Sequence, residues 1–455
     1  MFKRFMLPAV LAAGIGLTGC DVFDDDDDDP VITVPPPAET ASLQVLHASP
    51  DAPAVNVLVD GTETLSGVDF KSGSEELELD VGDYEIQVDA IVPGGVSTVI
   101  GPVTVTLAAD TLYTVAAIGE VAAIDAAILQ QDDTDVAAGS VRLRVLHAAP
   151  GAPEVDVYVT APNADLTAEM PTATFAFGED AGPVEVATGD YQIRITAAGD
   201  PAAVVFDSGT VTLPDAADLT VAAVDNRATG MAPVSLSVLD GTGTFEIFDI
   251  NTPAALRIVH GSPDAPNVDI FVNDDFATPL VTNLAYGDFF GYAEVAPGDY
   301  NLKVTPTGDP GVIVIDADAT LEVSRYYDVI AANLLASIEP LVLNDDPRPL
   351  ATAAKLRLIH GSPAAGNVDA FLTAPGADLA QETPTLTDVA FGANTGFLEV
   401  APGDYEVTIT ATGTTTPAIG PLAVTLDATG VYTAIAADAD GGGTPLGVIL
   451  LDDFL

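Results

Sequence analysis

The chain has 455 residues, of which 68 are acidic and 13 are basic, so its formal net charge is −55. A charge of this size repels nucleic-acid phosphates and anionic lipid headgroups, which makes both poor candidate partners. Cys20 is the single cysteine, which excludes an intramolecular disulfide, a thiolate zinc site and a cysteine nucleophile.

Residues 1–20 predict a secretory signal peptide. Lys3 and Arg4 precede an apolar run that is too short for an ordinary membrane-spanning helix. The run ends in the sequence LTGC, which resembles the bacterial lipobox, and that resemblance implies cleavage before Cys20 and acylation of this residue. We favour a lipid anchor over an ordinary signal peptide because the only cysteine falls at this position.

Residues 21–40 predict an extended tether. A run of aspartates at residues 24–29 is followed by Pro30 and by three consecutive prolines at 35–37. Like charges repel and proline keeps the backbone extended, so this segment is typical of a solvated spacer. Loss of Lys3 and Arg4 with the signal peptide takes the net charge from −55 to −57.

One motif, LHASPDAP in its first copy, recurs four times and contains every histidine of the chain: His47, His147, His260 and His360. The spacings of 100, 113 and 100 residues indicate that an ancestral pair was duplicated whole. A period near 100 residues fits independently folding domains, so we expect beads on a string forming an elongated array. The predicted domains span residues 41–132, 139–243, 254–346 and 353–455.

The composition predicts an all-β fold. Hydrophobic residues make up 48% of the chain but aromatic residues only 6%, so aliphatic side chains must fill the core. Segments such as SLQVLH and YEIQV alternate apolar and polar residues, and no long stretch has helical periodicity. About seven short strands per repeat favour four tandem antiparallel β-sandwiches of immunoglobulin-like size.

A second repeated motif places a tyrosine behind Gly-Asp at the start of a strand. It resembles the tyrosine corner of sandwich domains, where the hydroxyl bonds backbone upstream. A platform for stacking a ligand is the alternative, but a single tyrosine at such a position is more often structural. The tyrosines concerned are Tyr84, Tyr191, Tyr300 and Tyr405.

The histidine motif followed some forty residues later by PGDY resembles the bacterial envelope family known as domain of unknown function 4397. The resemblance covers nearly everything from Ser42 to Leu455. It implies secreted or lipid-anchored proteins built of tandem β-sandwich modules, with no established activity.

Each histidine is followed by a rigid turn, and we expect its imidazole to bond a backbone carbonyl or a carboxylate nearby. The candidate carboxylates lie nine residues on, at Asp156, Asp269 and Asp369, whereas the first copy has Asn56 there. We interpret the histidines as buried and structural. One histidine and one carboxylate per domain are too few for zinc.

No cofactor is predicted, with calcium as the one alternative left open. Ions bound between domains could stiffen the array, and carboxylates cluster at two predicted junctions. The candidate ligands are Asp132, Asp133 and Asp135 at one junction and Asp345 and Asp346 at the other.

The sequence predicts a non-enzymatic, lipid-anchored protein of the cell envelope that acts as a spacer, adhesive or binding module. Sequence motifs for a nucleophile elbow, a zinc protease or a phosphate loop are absent, and tandem copies suit multivalent binding. The partners are then a membrane, through the lipid, and an unidentified envelope or extracellular ligand. A calcium-rigidified adhesin and a polysaccharide-binding or polysaccharide-active protein are the two alternatives.

Overall fold

The computed structural model describes residues 39–453, so the predicted signal peptide, Cys20 and nearly all of the predicted tether lie outside the described residues. Within this range the chain forms β-strands and three short 3-10 turns, Val121–Ala123, Leu166–Ala168 and Leu335–Ser337. None of the helices in this part of the chain has the length and apolar character needed to cross a membrane.

The strands fall into four modules, one for each copy of the histidine motif. Module 1 contains β1 (Thr40–His47), β2 (Val55–Val59), β3 (Thr62–Val68), β4 (Leu77–Asp80), β5 (Gly82–Val92), β6 (Gly95–Leu107), β7 (Thr111–Ile118) and β8 (Asp125–Asp132). Module 2 contains β9 (Ser140–His147), β10 (Val155–Thr160), β11 (Ala173–Phe175), β12 (Asp180–Ala187), β13 (Gly189–Ala197), β14 (Val204–Leu213), β15 (Ala217–Asp225), β16 (Val234–Leu239) and β17 (Thr244–Ile247). The last strand of module 2 therefore lies beyond residue 243, the predicted end of the second domain.

Modules 3 and 4 repeat the same series. Module 3 contains β18 (Ala254–His260), β19 (Val268–Val272), β20 (Val281–Leu284), β21 (Phe289–Val295), β22 (Gly298–Pro306), β23 (Ile315–Leu321), β24 (Tyr326–Ala332) and β25 (Glu339–Asp345). Module 4 contains β26 (Ala354–His360), β27 (Val368–Thr373), β28 (Leu386–Val389), β29 (Leu398–Val400), β30 (Gly403–Ala411), β31 (Pro417–Leu426), β32 (Val431–Ala437) and β33 (Gly447–Asp452).

Each module is a sandwich of two sheets, which confirms the predicted all-β fold class. In module 1 the first sheet has the strand order β4-β1-β7-β8 and the second has the order β3-β2-β5-β6. The other modules follow this order, and β17 adds a fifth strand to the first sheet of module 2. Alternate residues of the strands fill the space between the sheets, in module 1 around Leu43, Val45, Val57 and Ile86.

One strand pair in each module departs from the predicted antiparallel arrangement. β1 runs parallel to β7, with Ser42 opposite Leu112 and His47 opposite Ala117, and the equivalent pairs in the other modules are parallel as well. Alternation of apolar residues reports which face of a strand is buried but not the direction of its neighbour. The sequence pattern therefore contained no signal for this pairing.

The modules are not the independent beads that the repeat length predicted. The outer face of the first sheet of module 1 packs on the same face of module 2, forming one apolar cluster that includes Leu46, Leu129, Leu146 and Leu239. Modules 3 and 4 share a second cluster, which includes Val259, Ile330, Ile359, Ile435 and Leu451. The first sheet is thus buried on both faces, which explains why β1 is buried at consecutive positions from Leu43 to His47.

Equivalent residues of the two modules meet in each shared cluster. Leu46, Ala116 and Leu129 of module 1 correspond in register to Leu146, Ala222 and Leu239 of module 2, and all six lie in one cluster. A surface that packs on its own copy is the arrangement found in a twofold homodimer. Each pair of modules is therefore built like a homodimer within one chain.

Candidate functional site

The repeated motifs lie where the chain crosses from one sheet to the other. β1 belongs to the first sheet and β2 to the second, and the histidine motif joins them. The Gly-Asp-Tyr motif makes a second crossing in the same direction, from β4 of the first sheet to β5 of the second. The two motifs that mark the repeats are thus the connections that hold the two layers of the sandwich together.

Each histidine side chain is buried and bonded on both ring nitrogens to the backbone of its own turn. Nδ1 accepts a hydrogen bond from the amide two residues later, at 3.3 Å for Ser49, Ala149 and Ser362 and 3.4 Å for Ser262. Nε2 lies 3.0 Å from the carbonyl oxygens of Pro53 and Pro266, 3.1 Å from Pro153 and 2.6 Å from Gly366. Because Nδ1 accepts, Nε2 must carry the proton and donate it, so the ring is neutral.

The electrostatics agree with a neutral ring. Burial lowers the pKa of His47 to about 4, because desolvation disfavours the charged imidazolium, although the Pro53 carbonyl acts in the opposite direction. Burial also lowers the pKa of His260. With both nitrogens bonded to backbone, these histidines have no free lone pair for a metal ion or a substrate proton.

An aromatic ring packs edge-on against every histidine, with 6.2–6.3 Å between ring centroids. The ring comes from the connection between the third and fourth strands of each module, and the next residue has a positive φ. That residue is Gly178, Gly287 or Gly392 in three modules, but in module 1 it is Lys71 with φ +69°. The Lys71 ammonium lies 2.6 Å from Glu246 of module 2, so this strained position contributes a contact between modules.

The aspartates nine residues after the histidines do not bond the imidazoles; of the two partners expected for each ring, a backbone carbonyl or a carboxylate, the carbonyl is the one found. Asp156 accepts from the Thr174 hydroxyl and the Gly199 amide, and Asp369 accepts from the amides of Asp388 and Gly413. Asp269 makes the same kind of contacts in module 3. These carboxylates tie loops of the second sheet together, and backbone amide bonds lower the pKa of Asp369.

The four Gly-Asp-Tyr tyrosines have the geometry of a tyrosine corner. Each hydroxyl donates to the carbonyl oxygen four residues upstream, at 2.9 Å in Tyr84 and Tyr191, 2.6 Å in Tyr300 and 2.8 Å in Tyr405. These bonds close the crossing between the two sheets. Each hydroxyl is thus bonded inside its own module.

A further tyrosine closes the crossing from the second sheet back to the first, and the sequence analysis missed it. The Tyr113 hydroxyl donates to the Thr106 carbonyl and accepts from the Ala108 amide. The hydroxyls of Tyr327 and Tyr432 accept the equivalent amide in modules 3 and 4. Module 2 has Leu219 at the equivalent position, so this tyrosine does not occur in all four repeats. Its recurrence in the other three repeats is a signal in the sequence that could have identified it.

The candidate calcium ligands are not gathered into a metal site. Among residues 39–453, no group of three or more histidine, cysteine, aspartate or glutamate side chains is placed to hold a metal ion. Asp133 accepts from the Ser42 hydroxyl, Asp346 faces the Lys355 ammonium at 2.6 Å, and Asp345 faces two arginines. The Asp132 backbone carbonyl accepts from Arg142, and nothing places Asp135 beside the others. The residues named for the calcium alternative are therefore not brought together in the described chain.

A buried ionic cluster lies between modules 3 and 4. The Arg257 guanidinium, from β18, donates to both carboxylate oxygens of Asp328 at 2.6 and 2.9 Å and to Asp345 at 2.9 Å. Arg357, from β26 of the other module, bonds Asp328 as well, and Tyr292 bonds Asp345. Burial raises the pKa of Asp328, which is completely inaccessible to solvent, whereas Arg357 and Tyr292 overcome burial at Asp345 and lower its pKa.

A polar cleft lies where modules 1, 2 and 3 meet the linker to module 4. Its volume is about 740 Å³, and we call it the inter-module cleft; it is lined by residues 69–71, 227, 228, 246, 248, 322–326 and 345–348. Arg348 of the linker spans it, bonding the Asp69 carboxylate at 2.9 Å and the Ala52 carbonyl at 2.8 Å. Two smaller cavities, of about 270 and 80 Å³, lie between the sheets of modules 2 and 3 and have apolar walls.

The fold and its repeated crossings define a protein of tandem β-sandwich modules. The family model described as "Domain of unknown function (DUF4397)" matches residues 41–158, 254–371 and 372–455, which is more than half of the chain. The chain belongs to this family. Two of the matched segments begin at one histidine motif and continue past the next, so they run across the boundary between paired modules.

Comparison with other proteins adds no function. The chain is similar to a structure titled "The Bacillus anthracis TIE protein", at 13% identity and a TM-score of 0.14, over 88% of this chain and 69% of the other. It is similar to the Bacteroides ovatus mixed-linkage glucan utilization locus SGBP-B in complex with mixed-linkage heptasaccharide, at 12% identity and a TM-score of 0.10, over 78% of this chain and 87% of the other. No curated protein matches the sequence significantly. At these TM-scores neither likeness bears on the function of this chain.

Proposed function

We propose that this chain is a non-enzymatic, lipid-anchored protein of the cell envelope that acts as a spacer, adhesive or binding module. The observation that supports this proposal is the use of the repeated side chains. The histidines and tyrosines that mark the repeats all bond backbone inside their own modules, as in the pairs His47–Pro53 and Tyr84–Asp80. Repetition of the motif then repeats a folding unit, which suits a scaffold better than an active site.

The anchor is tested by the pair Cys20→Ser and Thr18→Ser, expressed in a bacterial host that is fed a labelled fatty acid. The unchanged chain and the Thr18→Ser control should incorporate the label and sediment with membranes after a high-salt wash. Cys20→Ser should do neither, because it has no thiol to acylate. Membrane association of Cys20→Ser equal to that of the unchanged chain would refute the anchor.

The polysaccharide alternative has one observation in its favour, the inter-module cleft. Ligand sites lie preferentially where domains meet, and a volume of about 740 Å³ is within the range of such sites. A binding role is therefore the more specific form of the proposal, and the cleft is where we expect it.

A further inference from the structure

Positive charge in this protein is concentrated where modules meet. Beyond Lys3 and Arg4 the sequence has eleven basic residues, and four of them line the inter-module cleft: Lys71, Arg227, Arg325 and Arg348. Most of the others, such as Arg257 and Arg357, are buried within the contacts between paired modules. With four basic and five acidic side chains, the lining of the cleft is close to neutral, whereas the chain as a whole has 13 basic against 68 acidic residues.

The carboxylates of the cleft are already engaged by internal partners. Glu246 pairs with Lys71 at 2.6 Å, Asp69 with Arg348 at 2.9 Å and Asp346 with Lys355 at 2.6 Å. Asp345 belongs to the buried ionic cluster. Only Glu322 has no partner within hydrogen-bond distance among the described residues; it lies 3.7 Å from Arg325.

Two of the arginines, by contrast, have donors to spare. The Arg325 side chain is 64% exposed, and Glu322 at 3.7 Å, its one ion-pair partner in the described chain, is too far for a hydrogen bond. Arg227 makes a single side-chain hydrogen bond, of 3.3 Å to Asp225, and its ion-pair contact with Glu120 is 3.8 Å long. Its Nε is buried without any partner. Because a guanidinium carries five N–H groups, Arg227 and Arg325 have most of the unused donors of the cleft, while the Glu322 carboxylate has unused acceptors.

We propose that the inter-module cleft binds an acidic oligosaccharide, a chain of sugar rings that carry carboxylates. Arg227 and Arg325 would hold the carboxylates, since the planar guanidinium matches a carboxylate in geometry and charge. Phe248 and Tyr326 also line the cleft, and their rings would pack against the sugars. At physiological ionic strength, charges beyond about 8 Å are largely screened, so the distant acidic surface adds little to the field inside the cleft.

This inference deepens the binding role proposed above, and it is independent of the lipid anchor. The test uses calorimetry on the full chain carrying Cys20→Ser, at 0.15 M salt, with hexagalacturonate as the probe. The fully methyl-esterified hexamer is the matched control, because it keeps the rings and loses the charges. We expect saturable binding of the acid and none of the ester.

Substitutions of residues in the cleft test whether the oligosaccharide binds there. Arg325→Ala and Arg227→Ala should each weaken binding by about tenfold or more, as expected for loss of a charge-assisted contact. Glu322→Gln should strengthen it, since it removes the competing carboxylate. Lys303→Gln is the control, because Lys303 pairs with Asp274 and Asp316 and does not line the cleft.

Two results would overturn the proposal in different ways. Binding that persists in Arg325→Ala and Arg227→Ala would mean that the protein binds acidic glycans elsewhere, so the binding role would stand without this site. No binding of hexagalacturonate by the folded chain would refute the ligand class. Melting curves of each variant establish that it is folded, and Arg325 is exposed enough for its replacement to leave the fold intact.

Discussion

The histidine that identifies each repeat acts through its neutral form. Nδ1 accepts one backbone amide while the Nε2 proton is donated to one backbone carbonyl, and both groups would otherwise be buried without partners. A protonated ring cannot accept the amide. In modules 1 and 3, where burial lowers the pKa of His47 and His260, the imidazole that fixes the crossing between the sheets therefore makes the module sensitive to acid.

The first prediction concerns the pH dependence of stability at His47. Its pKa is about 4 in the folded chain and about 6.5 when unfolded, so the unfolded state takes up the proton first as the pH falls. The contribution of this histidine to stability is complete above pH 6.5 and is lost between pH 6.5 and 4. Over that interval the loss should be about 3 kcal/mol.

His47→Gln removes this dependence. We expect it to lower the free energy of unfolding at pH 7 by about 1–3 kcal/mol, because at least one buried backbone group loses its partner. The difference from the unchanged chain should shrink as the pH falls to 4. Urea unfolding followed by circular dichroism at several pH values measures both effects, with the exposed Thr104→Ser as control. A constant difference across the pH range would show that His47 does not titrate as described.

At the scale of the element, the sequence predicted the strands and the motifs but not what the outer faces of the strands pack against. The alternation in YEIQV indicated correctly that Ile86 and Val88 face the core of module 1. In β1 the apolar Leu46 interrupts the alternation, and the structure shows why, since it faces module 2. The local alternation of apolar residues predicts which face of a strand is buried inside its own module. It does not predict that the opposite face packs on another module about 100 residues away in sequence.

The same limit explains the aspartates. Asp51 and Asp264 accept the amides of Val121 and Leu335, but the equivalent Gly151 and Ala364 donate their own amides to Asp225 and Asp438. The carboxylate has moved from one loop to the loop beside it, and one contact between the loops is retained. When the repeats are compared position by position, the replacement of the aspartate by Gly151 or Ala364 therefore looks like the loss of a contact, although the contact is retained.

The second prediction concerns the pair Arg257 and Asp328. Module 1 has a neutral pair in the same register, Gln44 bonded to Thr114 at 2.8 Å. Arg257→Gln or Asp328→Thr alone should each cost about 3–5 kcal/mol in the free energy of unfolding, because the remaining charges are left buried and unpaired.

The double variant carrying both changes should lose less than the sum of the two single losses, by at least about 1 kcal/mol. It replaces the ion pair with the neutral pair that module 1 already uses. Urea unfolding of the four chains gives the coupling energy, and the cycle Gln44→Ala with Thr114→Ala is the matched control, where we expect a smaller coupling. Strict additivity at Arg257 and Asp328 would contradict a shared buried network.

At the scale of the molecule, the structure accounts for the spacing of the repeats. Modules 1 and 2 bury equivalent faces against each other, and so do modules 3 and 4. The unit that was copied, 213 residues long, therefore corresponds to a complete pair with its interface closed. Copying a single module would have left one apolar face without a partner.

The third prediction concerns calcium, which the sequence left open as a stiffening ion. The carboxylates at the junction of modules 3 and 4 are bonded to arginine or lysine, including Asp345 and Asp346. We expect millimolar calcium to leave the melting temperature of the chain unchanged at 0.15 M salt, within the effect of magnesium at equal concentration. A rise of several degrees that is specific to calcium would require a site that binds the folded state.

The last prediction distinguishes paired modules from independent ones. Leu46 is fully buried in the cluster that modules 1 and 2 share, and Ile330 is buried in the cluster of modules 3 and 4. Replacement of either residue by alanine should cost about 2–5 kcal/mol, since it opens a cavity in a closed interface. If the two modules of a pair stabilise each other, that cost must appear on both sides of the interface.

Hydrogen exchange on the full chain measures where the cost appears. Leu46→Ala should speed exchange in β7 of module 1 and also in β9 and β15 of module 2, while modules 3 and 4 stay unchanged. Ile330→Ala should give the reverse pattern, which makes each variant the control for the other. Faster exchange confined to module 1 in Leu46→Ala would mean that the modules fold independently. Faster exchange in all four would mean that the polar contacts at Arg348, which join the linker to module 1, transmit stability between the pairs.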